Sequence, residues 1–481
     1  MARILLINPP MIDERGRHVD AYQGARPKLP ALGLAYMASV LLKAGHQVRI
    51  IEGMAQFYPL DEIARISGSF DVVGITSNSF LALLSHWVAG AIREKNDKIA
   101  IVMGGPHATV VPDEVLQDKN IDFVVMGEGE HSFLELVEAL SGGHGAVNIP
   151  GIAYRKEDGT VSLSERSYCE NLDDIPMPAR QLLPMHLYRS SEVRSRRNPA
   201  LHMLSSRGCL YNCSFCCNKS IHRSRLRMHS PARVVEEMGV LVKDFGAKEI
   251  HFWDDCFVYD EKRVYEICGQ IHKTGLDIPW DCEATVDRVN PNLLKAMRAA
   301  GCFGLSYGIE TGNDERLKKL NKGWLNRDNI RQAVSWTKKA GLRTRGYFMF
   351  GLIGETLQEM KETIQFSKEL DLDYATFSLL VPLPGTDDYR RAQTDGNFDA
   401  YYWRHRLLSE ISFPLDPVYA PNGVTKEQLL KMHRKACRSF YFRPRIIIRH
   451  LLGLRSTGNL LGSFKAAYTI IQQSKAPKHE N

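Results

Sequence analysis

The chain has 481 residues, too many for one ordinary domain, so the length predicts two or three. Its composition, 44% hydrophobic and 24% charged without biased tracts, is typical of a globular protein and excludes fibrous and low-complexity classes. The formal net charge of +7 is concentrated in Arg-rich stretches at 189–197 and 433–455. These stretches indicate an acidic partner, nucleic acid, a membrane surface or simply a solvated basic face.

The N-terminal residues, the lengths of the apolar segments and the use of cysteine predict a cytoplasmic protein. The first residues, MARILLINPP, lack the apolar run and cleavage site of a secretory signal. No segment reaches the roughly 18 uncharged apolar residues of a membrane span. In a reducing compartment ten cysteines do not form a disulfide framework. Six of them are scattered and are expected to fill packing space: Cys169, Cys256, Cys268, Cys282, Cys302 and Cys437.

Residues 1–145 alternate between apolar runs and helical patterns, starting with ARILLINPP and ending with DFVVMGEGE. Because the runs are apolar throughout, we predict a parallel sheet with helices on both faces, a doubly wound Rossmann-like α/β domain. Its ligand should lie beyond the carboxyl ends of the strands. These ends (NPP, TSNS, GGPHAT and GEGE) are small and rich in Gly, which lets backbone approach a large flat or phosphate-bearing ligand.

The rest of the chain divides into three parts. Residues 146–197 contain a predicted hairpin, GIAYRKEDGTV, and a Pro-rich, acidic linker. Residues 198–400 carry six strand patterns, five of them followed by a helical pattern, which predicts a partial (β/α)6 TIM-like barrel with its site at the carboxyl strand ends. Residues 401–481 are aromatic, basic and mainly helical.

Four cysteines fall within nine positions of SSRGCLYNCSFCCNKS, after the first strand of the second series. Cys209, Cys213 and Cys216 have the spacing C-x3-C-x2-C, so their thiolates can converge on one metal centre. Zinc sites generally use four protein ligands in two close pairs, and no second pair follows here. Three thiolates leave one position open, which favours an iron–sulfur cluster over zinc or metal-free thiols. Cys217 is an alternative fourth ligand, although its side chain should point away from Cys216.

The stretch CLYNCSFC resembles the signature of the radical S-adenosylmethionine (SAM) enzymes. The domain order resembles the subgroup with an N-terminal cobalamin-binding domain, and together the likeness spans about residues 1–400. The resemblance implies that the three cysteines hold a 4Fe–4S cluster whose fourth iron binds SAM. One electron would then cleave SAM to a 5′-deoxyadenosyl radical. The expected cofactors are therefore a 4Fe–4S cluster, SAM and cobalamin.

The same resemblance implies contacts to SAM near the cysteines and on the second strand. Phe215 resembles the aromatic residue that packs beside the adenine. Asp254 and Asp255, in FWDDCF, lie where the family places polar groups for the methionyl ammonium.

Further contacts are implied on the next strands. Glu283 and Arg288 could reach the ribose or the carboxylate, and Glu310 ends the fourth strand. The alternative for each isolated acidic residue is a helix cap or a surface charge. The segment GYFMFGLIGET resembles the fifth-strand adenine segment, with Ile353 where relatives often have Pro.

The first domain lacks the Asp-x-His-x-x-Gly motif with which the mutase and methionine synthase families ligate cobalt. His18 lies in the corresponding loop, but the resemblance implies a cobalt without a His ligand below it. A turn or capping role is the alternative for His107. The resemblance implies the following cobalamin contacts: Thr76, Ser77, Asn78, Gly104, Gly105, His107, Thr109, Gly127, Glu128 and Gly129.

These features predict a cobalamin-dependent radical SAM enzyme, foremost one that methylates an unactivated carbon by way of methylcobalamin. No catalytic side chain is nominated. The alternative within the enzymes is ring formation, rearrangement or oxygen insertion, as in the bacteriochlorophyll cyclase. A cobalamin- or metal-responsive sensor is the alternative from another class. A methylthiotransferase is disfavoured, because those enzymes use three extra N-terminal cysteines and the first cysteine here is Cys169.

The expected partners are a small molecule and an electron donor such as flavodoxin or ferredoxin, and no nucleic acid. Lipid, tetrapyrrole, peptide and antibiotic precursors all remain open as substrates. The C-terminal stretch SFYFRPRIIIRHLLGLR mixes aromatic, basic and aliphatic residues. It could close the barrel over the substrate, rest on a membrane surface or simply pack as a helical subdomain.

Overall fold

The computed structural model describes residues 1–13, 15–19, 29–143, 148–188, 190, 195–399, 402–405 and 417–452. Predictions for the loop after residue 19, for most of the Arg-rich stretch at 189–194 and for residues 453–481 lie outside these ranges.

The first sheet is built as its apolar runs predict. In the described residues its strands are β1 (Arg3–Asn8), β2 (Gln47–Glu52), β3 (Val72–Thr76), β4 (Ala100–Gly104), β5 (Phe123–Val125), β6 (Ile152–Arg155) and β7 (Val161–Leu163). Their order is β2-β1-β3-β4-β5-β6-β7, and the first five are parallel. The strand that follows β1 in sequence, β2, pairs on one side of it, and β3 pairs on the other side. The sheet therefore has a switch point between β1 and β3.

Helices cover both faces of this sheet: α1 (Leu32–Lys43), α2 (Leu60–Ser67), α3 (Ala82–Lys95), α4 (Pro106–Val110), α5 (Pro112–Val115) and α6 (Gly129–Ser141). Leu6 packs on one face with residues of α1 and α6. Its neighbour Ile7 packs on the opposite face with residues of α2 and α3. Adjacent strand residues therefore enter different cores, which is why the runs carry no polar alternation.

The hairpin predicted at GIAYRKEDGTV forms strands β6 and β7. It pairs antiparallel with β5 and so extends the first sheet. Gly151 precedes it at φ +79°, where an added Cβ would lie 2.7 Å from the Ser132 hydroxyl. The pattern predicted the hairpin but not its attachment.

The second sheet is the predicted partial barrel. Its strands in the described residues are β8 (Ala200–Met203), β11 (Glu249–Phe252), β12 (Trp280–Ala284), β13 (Cys302–Glu310), β14 (Arg343–Phe350) and β15 (Tyr374–Leu379), after a separate hairpin of β9 (Ser206–Gly208) and β10 (Leu226–Met228). The six strands are all parallel in the order β15-β14-β13-β12-β11-β8. The predicted fold class is therefore confirmed.

Helices lie on the outer face of this sheet and beyond it: α7 (Asn218–His222), α8 (Pro231–Lys243), α9 (Glu261–Thr274), α10 (Pro291–Ala299), α11 (Asp314–Lys319), α12 (Arg327–Lys339), α13 (Leu357–Glu369), α14 (Asp387–Thr394), α15 (Tyr402–His405), α16 (Lys426–Tyr441) and α17 (Pro444–Leu452). Ser230, Asp260 and Asn290 cap the starts of α8, α9 and α10 by accepting backbone hydrogen bonds.

The two faces of the second sheet differ in polarity. Ile250, Phe252 and Trp280 point outward into one apolar core with the helices. The residues between them, such as His251 and Asp281, point inward and hydrogen-bond to each other. This inner face and the carboxyl strand ends are the polar parts of the barrel.

Helix α16 closes the free edge of β15. The Tyr441 hydroxyl donates to the Ala375 carbonyl at 2.6 Å and accepts from the Ala375 amide at 3.3 Å. Among the described residues, no helix is both long and apolar enough to cross a bilayer.

Candidate functional site

The cysteine loop starts from a tight turn at the carboxyl end of β9. Gly208 has φ +88°, and an added Cβ would lie 2.0 Å from the Arg225 carbonyl, so only glycine fits. Asn218, the first residue of α7, accepts a hydrogen bond from the Cys209 amide at 2.9 Å. The Cys216 amide donates to the Cys213 carbonyl at 3.1 Å. The loop is therefore bent back on itself between β9 and α7.

The four thiols of the loop are buried to different degrees and influence one another electrostatically. Burial, with smaller contributions from Cys216 and Cys209, raises the pKa of Cys213 to about 12. Burial likewise raises the pKa of Cys216 to about 11, with Cys209 again contributing. The Cys217 sulfur instead lies 3.8 Å from the Pro384 carbonyl and is influenced by Cys216 alone among these thiols. The spacing thus brings Cys209, Cys213 and Cys216 together, while Cys217 faces another loop.

The potential metal ligands of this loop are its thiols. In the described part of the chain, no three metal-binding side chains lie close enough together to bind one ion. A single zinc ion draws its ligands within about 2.3 Å of itself, whereas a cluster of several irons spaces its cysteines further apart. Cys209, Cys213 and Cys216 are partly exposed and form no disulfide bonds, so their thiols remain available as ligands.

The two aspartates after β11 have different environments. Asp254 is fully buried and accepts hydrogen bonds from the amides of Ser205 and Ser206 and from the Ser205 hydroxyl, at 2.6 to 2.8 Å. It therefore holds the turn that leads into β9. Asp255 is accessible at the rim and accepts from the Asn218 side-chain amide at 2.5 Å. Desolvation in the concave mouth and the nearby Asp254 raise the pKa of Asp255.

Glu310 ends β13 in a left-handed conformation with φ +67°. Its carboxylate accepts from the Lys322 ammonium at 3.1 Å, and Lys322 also donates to the Gly308 carbonyl at 2.8 Å. Both side chains are buried. The Lys322 charge lowers the pKa of Cys213, against the larger effect of burial. Lys322 was missed from the sequence, because it follows α11 rather than a strand.

Glu283 and Arg288 lie on different sides of the mouth. Glu283 points inward from β12 and accepts from the Tyr347 hydroxyl at 3.1 Å. Arg288 is exposed and donates to the Tyr211 hydroxyl of the cysteine loop at 3.0 Å, and its guanidinium lies 4.3 Å from the Tyr259 ring. Arg288 therefore lies close to the cysteine loop, whereas Glu283 lies on the inner face of the second sheet.

Phe215 packs in an apolar cluster that joins both domains. The cluster contains Trp403 and Tyr419 from the C-terminal region and Phe80 from the first domain, and Ile353 lies at its edge. The Phe80 and Trp403 rings meet edge to face at 5.1 Å. The cysteine loop is thus tied to the carboxyl end of the first sheet.

At the switch point of the first sheet, Ser77 follows β3. Its hydroxyl is fully buried and has no hydrogen-bond partner among the described residues. Gly105, after β4, has φ +95°, and an added Cβ would lie 2.7 Å from the Ser77 carbonyl. Gly104 and Thr76 pair across the two strand ends. Asn78 is exposed and caps its own turn by accepting from the amides of Phe80 and Leu81.

The other predicted cobalamin contacts hold this region together. His107 is buried, with its Nδ1 3.1 Å from the Ser79 hydroxyl. The Thr109 hydroxyl accepts from the Gly127 amide at 2.9 Å. Gly129 lies so close to α1 that an added Cβ would be 2.6 Å from the Met37 methyl group. His18 is exposed on a short turn, with its ring 5.0 Å from that of Phe57.

Glu128 connects the domains through buried charges. Arg227 of β10 donates to both of its carboxylate oxygens, at 2.6 and 2.7 Å. Arg207 of β9 lies 3.7 Å from Glu128 and 2.7 Å from Glu130. Burial would raise the pKa of Glu128, but the arginines outweigh it, so the pKa lies below its usual value. We call these four residues the interdomain clamp.

Glu52, at the end of β2, gives a pH-dependent prediction. Burial raises its pKa to about 7, although it accepts hydrogen bonds from Asn8 and Tyr188. Since the folded chain holds this proton more tightly than the unfolded chain, its contribution to stability falls as pH rises from 4.5 to about 7. Relative to Glu52→Gln, the free energy of unfolding of the natural protein should fall by about 3 kcal/mol over that interval. Urea unfolding at several pH values measures this difference, and a pH-independent difference would contradict the assignment.

One α/β domain carries a loop of thiols at its strand ends, and the other carries glycines at its own strand ends. These are features expected of a metalloenzyme that binds two cofactors. The chain matches the family models "Radical SAM superfamily" over residues 203–367 and "B12 binding domain" over residues 24–137. It is 37% identical over 452 residues to an uncharacterized methyltransferase of Pyrococcus horikoshii, covering 93% of this chain and 94% of that protein. The chain therefore belongs to the cobalamin-dependent radical SAM methyltransferase family, whose cofactors are SAM, a 4Fe–4S cluster and cobalamin.

Two further relatives show the range of the family. Cytidylyl-2-hydroxyethylphosphonate methyltransferase of Streptomyces wedmorensis is 28% identical, over 85% of each chain. The anaerobic magnesium-protoporphyrin IX monomethyl ester cyclase of Rubrivivax gelatinosus is 28% identical, over 74% of this chain and 65% of that protein. The prediction of a radical SAM enzyme is confirmed. The relatives include both a methyltransferase and a cyclase, which are the two enzyme activities considered from the sequence.

Solved structures share the fold. The radical SAM methyltransferase TsrM from Kitasatospora setae, with cobalamin and a 4Fe–4S cluster bound, has a TM-score of 0.69 at 17% identity, covering 92% of this chain and 89% of that chain. The cobalamin-dependent radical SAM enzyme OxsB, with aqua-cobalamin and SAM bound, has a TM-score of 0.75 at 18% identity, covering 98% of this chain and 71% of that chain.

Proposed function

We propose that the enzyme transfers a methyl group from SAM, by way of cobalamin, to an unactivated carbon of a small molecule. When bound, the cluster supplies the electron that cleaves SAM, and cobalamin carries the methyl group. The observation that carries this proposal is the meeting of the two sets of strand ends. An added Cβ on Gly385, after β15, would lie 2.5 Å from Val110 of the first domain and 3.0 Å from Ser220 of α7. In this proposal, SAM bound at the cysteine loop and cobalamin bound at the ends of the first sheet therefore lie on neighbouring sides of the same interface.

Cys209, Cys213 and Cys216 hold the cluster in this proposal. Their loop is kept in place by Asn218, and burial keeps their pKa values high until a metal displaces the protons. Lys322 supplies positive charge that offsets part of the negative charge of three thiolates. The Lys322 ammonium is buried, and its carboxylate partner Glu310 also lies within the site.

For SAM, the accessible Asp255 is a better partner for the ammonium group than Asp254, whose two oxygens are taken by Ser205 and Ser206. Phe215 and Arg288 are assigned to the nucleoside side, since both adjoin the cysteine loop. Glu310 and Glu283 have protein partners already, so we assign them to holding Lys322 and Tyr347.

For cobalamin, we assign the carboxyl ends of β3 and β4. The unsatisfied Ser77 hydroxyl can donate to an amide or phosphate oxygen, because buried hydroxyls are otherwise nearly always paired. Thr76, Gly104 and Gly105 leave the backbone accessible beside it. Asn78, His107, Thr109, Gly127 and Gly129 shape the walls, and the carboxylate of Glu128 serves the interdomain clamp.

The test is anaerobic turnover with methyl-labelled SAM and cell extract or candidate substrates. The proposal expects labelled methyl groups in the product, together with 5′-deoxyadenosine. Deoxyadenosine formed with a cyclised or rearranged product and no label would favour the cyclase-type alternative, which the Rubrivivax relative supports. If the reconstituted protein binds SAM and cobalamin without forming deoxyadenosine, the sensor alternative would stand.

The setting of the reaction is also proposed. We place the enzyme in the cytoplasm, with a low-potential donor such as flavodoxin or ferredoxin delivering electrons to the cluster. Phe442, Ile447 and Ile448 are exposed apolar residues at the corner between α16 and α17. Contact of this corner with a membrane surface is proposed as a secondary feature, and sedimentation with anionic lipid vesicles tests it.

A further inference from the structure

The inner face of the second sheet lies below the cysteine loop and has no assigned role. Its central residues stand in register: Glu283 pairs with Ser306, Ser306 with Arg345, and Arg345 with Tyr374. Trp253 follows the pair of Phe252 and Cys282 and so lies at the level of Glu283. A single layer across the half-barrel therefore carries an indole at one side and a guanidinium at the other.

The carboxylates on this face already have partners. Glu249 accepts from the amides of Arg196 and Arg197 at 2.9 to 3.1 Å. Asp281 lies 2.5 Å from His251 Nδ1, and Glu283 accepts from Tyr347. These contacts fix the floor of the half-barrel, and none of them involves Arg343 or Arg345.

The arginines of β14 have no comparable partners. Within the described residues, neither Arg343 nor Arg345 forms an ion pair or a side-chain hydrogen bond, and the Arg345 guanidinium only lies 5.5 Å from the Tyr374 ring. Both are half-buried. A partly desolvated guanidinium without a carboxylate favours an anionic ligand, because Arg binds carboxylate and phosphate groups in bidentate geometry.

Trp253 supplies an apolar surface at the same level of the inner face as Arg345. It remains 39% exposed, while its ring meets the edge of His202 at 4.8 Å. Thr376 and Ser378 on the edge strand β15 are exposed as well, so this side of the half-barrel is open. A large aromatic ring held at an accessible surface is suited to stacking on a flat ligand.

We propose that the substrate is an anionic molecule with a flat apolar part, bound with its carboxylate or phosphate on Arg345 and its apolar part on Trp253. This assignment rests on the proposed function, because it takes the inner face as the place where the methylated carbon is presented. Arg345 and Trp253 are then specificity-determining residues, and the floor formed by His251 and Asp281 is a positioning network.

The test measures binding of three probes to the reconstituted holoenzyme by calorimetry: 2-naphthoate, 2-naphthyl phosphate and the neutral 2-naphthamide. The natural protein should bind at least one anionic probe about tenfold more tightly than the amide, the factor expected for one charged hydrogen-bonding contact. The better of the two anions distinguishes a carboxylate from a phosphate substrate. Equal binding of all three probes would overturn the proposal.

Two variants and a control assign the effect. Arg345→Gln should remove the preference for the anion, and Trp253→Ala should weaken all three probes about tenfold. Arg331→Gln, an exposed arginine of α12 that pairs with Glu369, should change nothing. If the Arg345→Gln variant still binds the anionic probe more tightly than the amide, Arg345 is not the anion-binding residue. Because binding is read without turnover, the two failures are distinguishable: loss of label transfer with intact probe selectivity would reject the methyltransferase proposal, while the anion site on Arg345 would remain.

Discussion

Cys213→Ala is expected to yield a protein without bound iron and acid-labile sulfide and to lower the rate of SAM cleavage by more than about a hundredfold. Loss of an outer partner of a metal ligand costs up to that factor, and Cys213 is assigned as a ligand itself. Cys213 is the middle cysteine of the C-x3-C-x2-C spacing, and the charges of Cys209, Cys216 and Lys322 all act on its thiol. Iron and sulfide analysis after anaerobic reconstitution, with deoxyadenosine measured by chromatography, provides the readout.

Cys217→Ala is the matched control. Cys217 is adjacent to Cys216, but its sulfur lies against the Pro384 carbonyl, so the variant should keep its cluster and its cleavage activity. A colourless Cys217→Ala protein, or a Cys213→Ala protein with normal iron and cleavage, would contradict the ligand assignment.

Glu128→Gln is expected to destabilise the protein by about 3–5 kcal/mol, the usual cost of removing one partner from a buried ion pair. Arg227 would lose the carboxylate that accepts its two hydrogen bonds, and Arg207 would lose part of its negative surroundings. The double variant Glu128→Gln/Arg227→Met should recover part of the loss, because no buried charge is then left unpaired. Urea unfolding of all three proteins at pH 7 measures the effect.

The surface pair of Arg225 and Glu170 gives the matched comparison. Glu170→Gln removes an exposed partner and should cost less than about 1 kcal/mol. Since the pKa of Glu128 is lowered in the folded state, the stability it contributes is present above the ordinary carboxylate pKa of 4.5 and is lost as pH falls below it. A Glu128→Gln cost that stays undiminished at acidic pH would argue against the interdomain clamp.

The strands and helices could be predicted because they depend on local patterns. The apolar runs around Leu6 and Ile7 have no alternation, which identifies a sheet covered on both faces before any contact is known. The cysteine spacing is equally local. The attachment of the hairpin β6–β7 to the first sheet is a long-range choice, and the sequence pattern carries no signal for it.

The site could be predicted only where a residue is recognised by a motif. Asn218, Lys322 and Arg227 depend on the meeting of segments that are distant in sequence, so they were missed. For Asp254 and Asp255 the motif identifies the position but cannot tell the two residues apart. They are adjacent and chemically identical, yet one is buried against Ser205 while the other reaches the rim, a difference set by tertiary packing alone.

The contact of Tyr441 with both backbone groups of Ala375 has a consequence for how the protein behaves in solution. An unpaired edge strand is a template on which a second chain can add, and a half-barrel has such an edge by construction. Because the Tyr441 hydroxyl takes both backbone groups of Ala375, a second chain cannot pair with this residue, and the barrel can stay open for a ligand. Removing one hydroxyl, as in Tyr441→Phe, should therefore show first as a tendency to self-associate on concentration rather than as a loss of fold.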